Sequence, residues 1–319
     1  MNKIKLLFNS FISFIIAFLC LFIFINNANG GINVNSLLFD IYIGWPYLII
    51  ASFLLIFSVY IRSLRWKYLF HYGDPPKTLD LFSAQLIGYF INNILPIRIG
   101  DIIKSYLASK KTNNKNSHVF GSIIMERVLD TLMLIFFSLI IILYNGSDYL
   151  NINFSFQSTS VYFLVIPIIM LILYFCKHLI PAKIKNIINE IWFGFNAINS
   201  SNKTIIIGFS LIIWCVYWYN VFLIQMIFQS LSLTLIDCLL ILVASSFIQM
   251  IPTGFGALGL FHLGAEAVLL KIGSTNYHNF LIMLWLYSYI VYTIFGAYFF
   301  IKESSYTFKI FYNDLVKKH

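Results

Sequence analysis

The sequence predicts an all-α polytopic membrane protein, with about six spanning helices and two re-entrant or broken helical hairpins arranged as two inverted repeats. Three observations predict it. The 319 residues are 60% hydrophobic and only 10% charged, whereas a soluble domain carries about 25% charged residues. That leaves too little polar surface to cover a water-facing globule, so lipid has to serve as the solvent. Apolar runs long enough to cross a bilayer recur along the chain. The basic residues sort to one side of the layout those runs define.

The spans fall at residues 4–25, 43–61, 119–143, 160–176, 204–228 and 280–301. Each can cross a hydrocarbon core of about 30 Å as a helix. The first follows Lys3 and Lys5 and is longer than the core of a cleaved signal, so it reads as a retained span. The fourth contains Pro167 and is expected to kink there. Two further apolar runs, 81–95 and 238–251, are too short to cross. Each stops at a proline, Pro96 or Pro252, passes through a glycine-containing stretch and restarts. That pattern marks a broken or re-entrant segment.

Charge tests this layout. With the N-terminus inside and each short segment dipping in and returning to its own side, region 62–118 lies inside and region 229–279 outside, and 19 of the 21 Lys and Arg lie inside. Lys271 is the outer exception, and Arg127 lies within a span. A full crossing by either short segment would invert everything after it and break the positive-inside rule. The net charge of +9 is thereby explained by inner loops, and nucleic acid is not an expected partner. Cys20, Cys176, Cys215 and Cys238 are scattered in apolar runs, so no disulfide framework, metal site or cofactor is expected.

An internal repeat follows. Leu95-Pro96-Ile97-Arg98-Ile99-Gly100 resembles Ile251-Pro252-Thr253-Gly254-Phe255-Gly256, and the order span, span, broken hairpin, span occurs twice. Each half crosses three times, so the second is inverted relative to the first. The chain reads as one transmembrane domain, with halves 1–150 and 151–303 and a short cytoplasmic tail, 304–319. Residues 181–199 place Ile184, Ile187, Ile188, Ile191 and Phe195 on one face, as expected of a helix lying in the inner interface.

Four polar clusters interrupt the apolar pattern. Arg62 and Arg65 lie three apart at the inner end of the second span, followed by Trp66. Two guanidiniums on one face can clamp a phosphate, and the same residues also read as a positive-inside stop with an aromatic anchor. Asn92, Asn93, Pro96, Arg98 and Asp101 form the tip of the first hairpin. There a helix N-terminus aimed into the membrane attracts anions, and Asp101 can cap its amides. Glu126, Arg127 and Asp130 share one face inside a span. Charges at that depth are costly unless paired, and are functional candidates by default. Pairing within the triplet and tethering to Arg62 or Arg98 both remain open. The fourth cluster is Pro252, Gly256 and Gly259, then His262 and Glu266 four residues apart, a spacing that allows a hydrogen-bonded or proton-linked pair.

Taken together, these motifs resemble the lysylphosphatidylglycerol synthase transmembrane-region family of flippase-like integral membrane proteins. The resemblance covers nearly the whole chain. It rests on Arg62-x-x-Arg65-Trp66, Asn92-Asn93-Ile94-Leu95-Pro96-x-Arg98-x-Gly100-Asp101, Glu126-Arg127-x-x-Asp130, and Pro252 with Gly256-x-x-Gly259-x-Phe261-His262. Asp101 stands where that family usually has Glu, Phe255 where a second Pro is common, and His262 where an acid is frequent. The resemblance implies movement or binding of a phospholipid or polyprenyl-linked headgroup, with membrane lipids as partners, in the cytoplasmic membrane with both termini inside. The aminoacyl-transferase domain of the lysyl-lipid synthases is not among these residues, so a transporter is expected rather than an enzyme. A membrane-embedded lipid-modifying enzyme, or an accessory protein of glycan assembly associated with a glycosyltransferase or with a second copy of the chain, is the alternative.

Overall fold

The computed structural model describes residues 3–28, 31–70, 76–95, 98–112, 116–145, 200–249 and 255–316. The fourth expected span, the interface helix at 181–199, and Pro96 and Pro252 themselves lie outside them. Nine α-helices and one short 3-10 turn make up the described chain, with no strand among these residues.

The long helices are α1 (Lys3–Asn27), α2 (Val34–Lys67), α5 (Asn116–Asn145), α6 (Ser200–Gln225) and α9 (His278–Val316). Those at 34–67, 118–144, 202–225 and 278–303 contain stretches long and apolar enough to cross a membrane. α1 has 25 residues, about 37 Å at 1.5 Å per residue. Large side chains such as Phe22, Phe39, Phe53, Leu143 and Ile294 point outward from the bundle. In lipid such a surface needs no cover.

Helix ends extend past the apolar runs. Hydropathy ends the second span at residue 61, but α2 continues to Lys67 because its last two turns bury Arg62, Arg65 and Trp66 against neighbours. Its start is fixed by Asn33, whose side chain accepts from the amides of Asn35 and Ser36 at 3.0 and 3.2 Å, an N-cap. α9 stays helical beyond Lys302, through the segment expected to form a separate tail.

Two short helix pairs occupy the places of the expected hairpins. α3 (Thr78–Ile94) packs on α4 (Ile99–Thr112), and α7 (Leu235–Gln249) on α8 (Leu260–Ile272). None of the four exceeds 17 residues, about 25 Å of helix. α3 ends because Leu95 is extended, with φ −102° and ψ 143°, the conformation a following proline imposes. In the second pair a 3-10 turn at Phe255–Ala257 lies between the helices and packs against α3. α7 begins 157 residues after α3, at position 235 against 78.

Glycine sets the closest approach within the first pair. A Cβ on Gly100 would fall inside contact distance of the Gly88 carbonyl and 2.6 Å from Asn92 Oδ1. Apolar packing forms two clusters. One joins α1, α2 and α5 to α6–α9, centred on Phe24, Ile224, Leu239 and Phe280. The other joins Trp66 of α2 to Leu81 and Ile87 of α3, Leu107 of α4 and Ile123 of α5.

Candidate functional site

The buried charges sit where α2, α3, α4 and α5 converge. Arg62 and Arg65 point from one face of α2 toward α5, and Asp130 bridges them. Its Oδ2 accepts from Arg62 Nη1 at 2.8 Å and its Oδ1 from Arg65 Nη1 at 2.9 Å. Arg65 is completely buried; the same nitrogen donates to Ser210 Oγ of α6 at 3.0 Å, and Nη2 lies 3.7 Å from Glu126. Glu126 accepts from Lys104 Nζ at 2.5 Å and from Gln85 Nε2 at 3.1 Å. Lys104 also donates to Gln85 Oε1 at 2.9 Å and lies over the Trp66 ring, 4.3 Å from its centre.

Arg127 turns the other way. Its Nη2 meets both Asp101 carboxylate oxygens at 3.0 Å. The expectation that Asp101 caps α4 therefore gives way: Arg127 holds its carboxylate, and the cap comes from Asn92, whose Oδ1 accepts the Gly100 amide at 2.8 Å. Within the triplet on α5, no pairing occurs. Glu126, Arg127 and Asp130 each find a partner on another helix, because the α-helix directs them outward over different neighbours.

A cavity of about 530 Å³ opens beside this network. Arg62, Arg98, Arg127 and Asp130 are its charged lining, and Asn92 and Asn93 line it from α3. Arg98 differs from its neighbours. It has a φ of +48°, a left-handed conformation that is strained for a residue with a side chain. Its carbonyl accepts the Asp101 amide at 3.2 Å, but its guanidinium makes no ion pair or hydrogen bond among the described residues. The five cations Arg62, Arg65, Arg98, Lys104 and Arg127 face three carboxylates, Asp101, Glu126 and Asp130. The cluster thus carries a surplus of two positive charges among the described residues, with Arg98 open to the cavity.

The remaining walls are aromatic and hydroxylic. Tyr89 stacks on Tyr292 at 4.7 Å and Trp285 on Tyr289 at 4.6 Å. The Arg62 guanidinium lies 6.0 Å from the Tyr217 ring centre. Ser245, Ser246 and Gln249 line it from α7. Asn93 holds the first pair to α9, donating to the Tyr289 carbonyl at 3.2 Å and to Thr293 Oγ1 at 3.0 Å. Gly256 joins the lining from the second pair, and its carbonyl accepts from Trp285 Nε1 at 2.9 Å.

Of the residues singled out from sequence, Arg62, Asn92, Asn93, Arg98, Arg127, Asp130 and Gly256 meet at the cavity. Arg65, Asp101 and Glu126 stand behind as partners of the lining. Gly259 instead meets α1, where a Cβ would fall 2.5 Å from the Ala17 carbonyl. His262 and Glu266 lie apart from the cavity and do not pair with each other. His262 is boxed in by Phe24, Phe261 and Trp285 rings, and Glu266 faces Asn27, Tyr277 and His278. Gln85, the tyrosines and the α7 polar residues were not singled out from sequence. Polar Gln85 and Ser245-Ser246 inside otherwise apolar short helices were the available signal.

Such a structure defines a multi-pass helical membrane protein with a charged cavity inside its bundle. Residues 8–296 match the family described as the lysylphosphatidylglycerol synthase TM region, and the chain belongs to it. It is 30% identical to UPF0104 membrane protein MJ1078 of Methanocaldococcus jannaschii over 224 residues, 65% of this chain and 92% of that protein. It is 35% identical to UPF0104 membrane protein MJ1595 of the same organism over 111 residues, a stretch covering 33% of each chain. No solved structure matches it.

Proposed function

We propose that the chain is a lipid translocase: it takes an anionic, phosphate-bearing headgroup into the cavity and moves it across the cytoplasmic membrane while the tails remain in lipid. The observation that carries this reading is Arg98, a cavity-lining guanidinium with no partner among the described residues, in a cluster with two more cations than carboxylates. A phosphate oxygen pair would meet its donors bidentately and offset the surplus. The tyrosine and tryptophan walls suit the glycerol or isoprenoid portion next to the phosphate.

Two short helix pairs in matching register support an inverted-repeat arrangement with the headgroup path between the halves, a scheme in which one half rocks against the other. In it both termini are cytoplasmic. An enzyme that relies on a carboxyl group as acid or base would need a free one at the cavity. Asp130, the carboxylate lining it among the described residues, is committed to two arginines, which favours transport over chemistry.

Binding tests the reading directly. The purified chain should retain a short-chain phosphatidic acid or phosphatidylglycerol in native mass spectrometry, and Arg98→Ala should weaken that retention at least about ten-fold, the loss of a charge-assisted bidentate contact. Retention equal to wild type in a well-folded Arg98→Ala protein removes Arg98, and with it the headgroup site.

A further inference from the structure

A second buried polar cluster lies away from the cavity, where the end of α1, the middle of α8 and the start of α9 meet. Glu266 of α8 is 3% exposed and His278 of α9 8%. Around the Glu266 carboxylate stand His278 Nε2 at 3.5 Å, Tyr277 OH at 3.5 Å and Asn27 Nδ2 at 3.4 Å. The Asn27 and Tyr277 distances sit at the long limit of a hydrogen bond, and the His278 contact falls short of one. His278 Nε2 and His262 Nδ1 are both buried without a hydrogen-bond partner. A buried carboxylate in a loose ring of donors, next to two imidazoles with unused nitrogens, can take up a proton and tighten around it.

The surroundings add little competing charge. Helix α1 contributes Cys20 as its one titratable group with a described side chain. From α7 come Cys238 and Asp237, and Asp237 is held by Thr234 at 2.6 Å. On α8 itself the others are His262 and Lys271, and Lys271 is exposed at the last turn. Beyond His278, the titratable groups of α9 with described side chains are the tyrosines Tyr287, Tyr289, Tyr292 and Tyr298, and then Lys302 and Glu303 further along the helix.

A physical route joins this cluster to the cavity. Phe24 lies between the two imidazoles, its ring centre 4.9 Å from His262 and 5.4 Å from His278. His262 in turn lies 5.8 Å from Trp285, which holds the Gly256 carbonyl and stacks on Tyr289 in the cavity wall. His278, Trp285, Tyr289 and Tyr292 follow one face of α9 at spacings of seven, four and three residues.

We propose that Glu266 and His278, with His262 beside them, form a proton-binding site, and that its occupancy is transmitted to the headgroup cavity through Trp285. A single proton from water enters; when it leaves, the carboxylate and neutral imidazole are restored, and no other reactant is needed. The coupling half of this proposal rests on the translocase reading, but the proton site does not.

Two measurements separate them. In detergent, the Trp285 part of the intrinsic fluorescence, isolated by difference from Trp285→Phe, should show a single step as the pH is lowered. His278→Gln should abolish the step, and Glu266→Gln should displace its midpoint by at least about one pH unit, equivalent to a ten-fold change in proton affinity. Each variant is accepted only with wild-type elution and helical content. If Glu266→Gln fails that check, Glu266→Asp must show a displaced step, and His278→Gln stands independently. A wild-type protein with no step, or a step unmoved by these variants, overturns the proton site. In proteoliposomes, an imposed pH gradient should accelerate phosphatidylglycerol movement several-fold in wild type and not in His278→Gln. Equal acceleration in both overturns the coupling. Movement absent from wild type under every condition overturns the translocase reading and the coupling, while the fluorescence step still decides the proton site.

Discussion

Two arginines of the charged cluster do opposite work in this bundle. Arg65 is completely buried and ion-paired with Asp130, with Ser210 and Glu126 beside it, whereas the Arg98 guanidinium makes no ion pair or hydrogen bond among the described residues. Their variants should therefore separate stability from function. Asp130→Asn leaves Arg62 and Arg65 buried without their shared countercharge, and removal of one partner from a buried pair costs about 3–5 kcal/mol. Thermal unfolding in detergent should show that loss, while Arg98→Ala unfolds close to wild type. If the two variants unfold alike, this division of roles is wrong. Sequence brought these residues to notice because charge in an apolar run is expensive, but it could not assign partners. Neighbours on α5 looked like partners for each other, yet Arg127 reaches Asp101, and Glu126 reaches Lys104 and Gln85. Those choices depend on which helices pack together. The cavity tyrosines were illegible for a different reason: with 20 Tyr and 33 Phe in the chain, nothing local distinguishes a cavity wall from a lipid-facing ring.

Helices are the scale at which the sequence was most legible. Hydropathy located the middles of α2, α5, α6 and α9 and both short pairs, because burial in lipid demands long apolar helices. It underestimated the ends. Residues 62–67 are polar in sequence but stay helical because cross-helix bonds bury them. The α3–α4 pair also carries a steric prediction. Gly100→Ala places a methyl group against the Gly88 carbonyl and Asn92, which should cost about 1–3 kcal/mol by overpacking. Gly208 in α6 has nothing within 4 Å of its Cβ position, so Gly208→Ala should be neutral or stabilise by up to about 1 kcal/mol. Comparable melting shifts for the two alanines would contradict the close approach within the pair.

For the whole molecule, the proposed inverted layout makes a claim about sides. Cysteines introduced at Lys110 and at Lys183 should react with an impermeant maleimide from the same face of the membrane, and one at Lys271 from the opposite face. Labelling of Lys110 and Lys183 positions from opposite faces would remove the mirrored halves. The proposed headgroup movement through the charged cavity is open to one direct experiment. Liposomes carrying a labelled phosphatidylglycerol in one leaflet, with the purified chain reconstituted, should show the headgroup appearing in the other leaflet without any change in lipid mass. Arg98→Ala vesicles should remain at the protein-free rate. Wild-type movement no faster than protein-free vesicles, or Arg98→Ala moving lipid as fast as wild type, would contradict it.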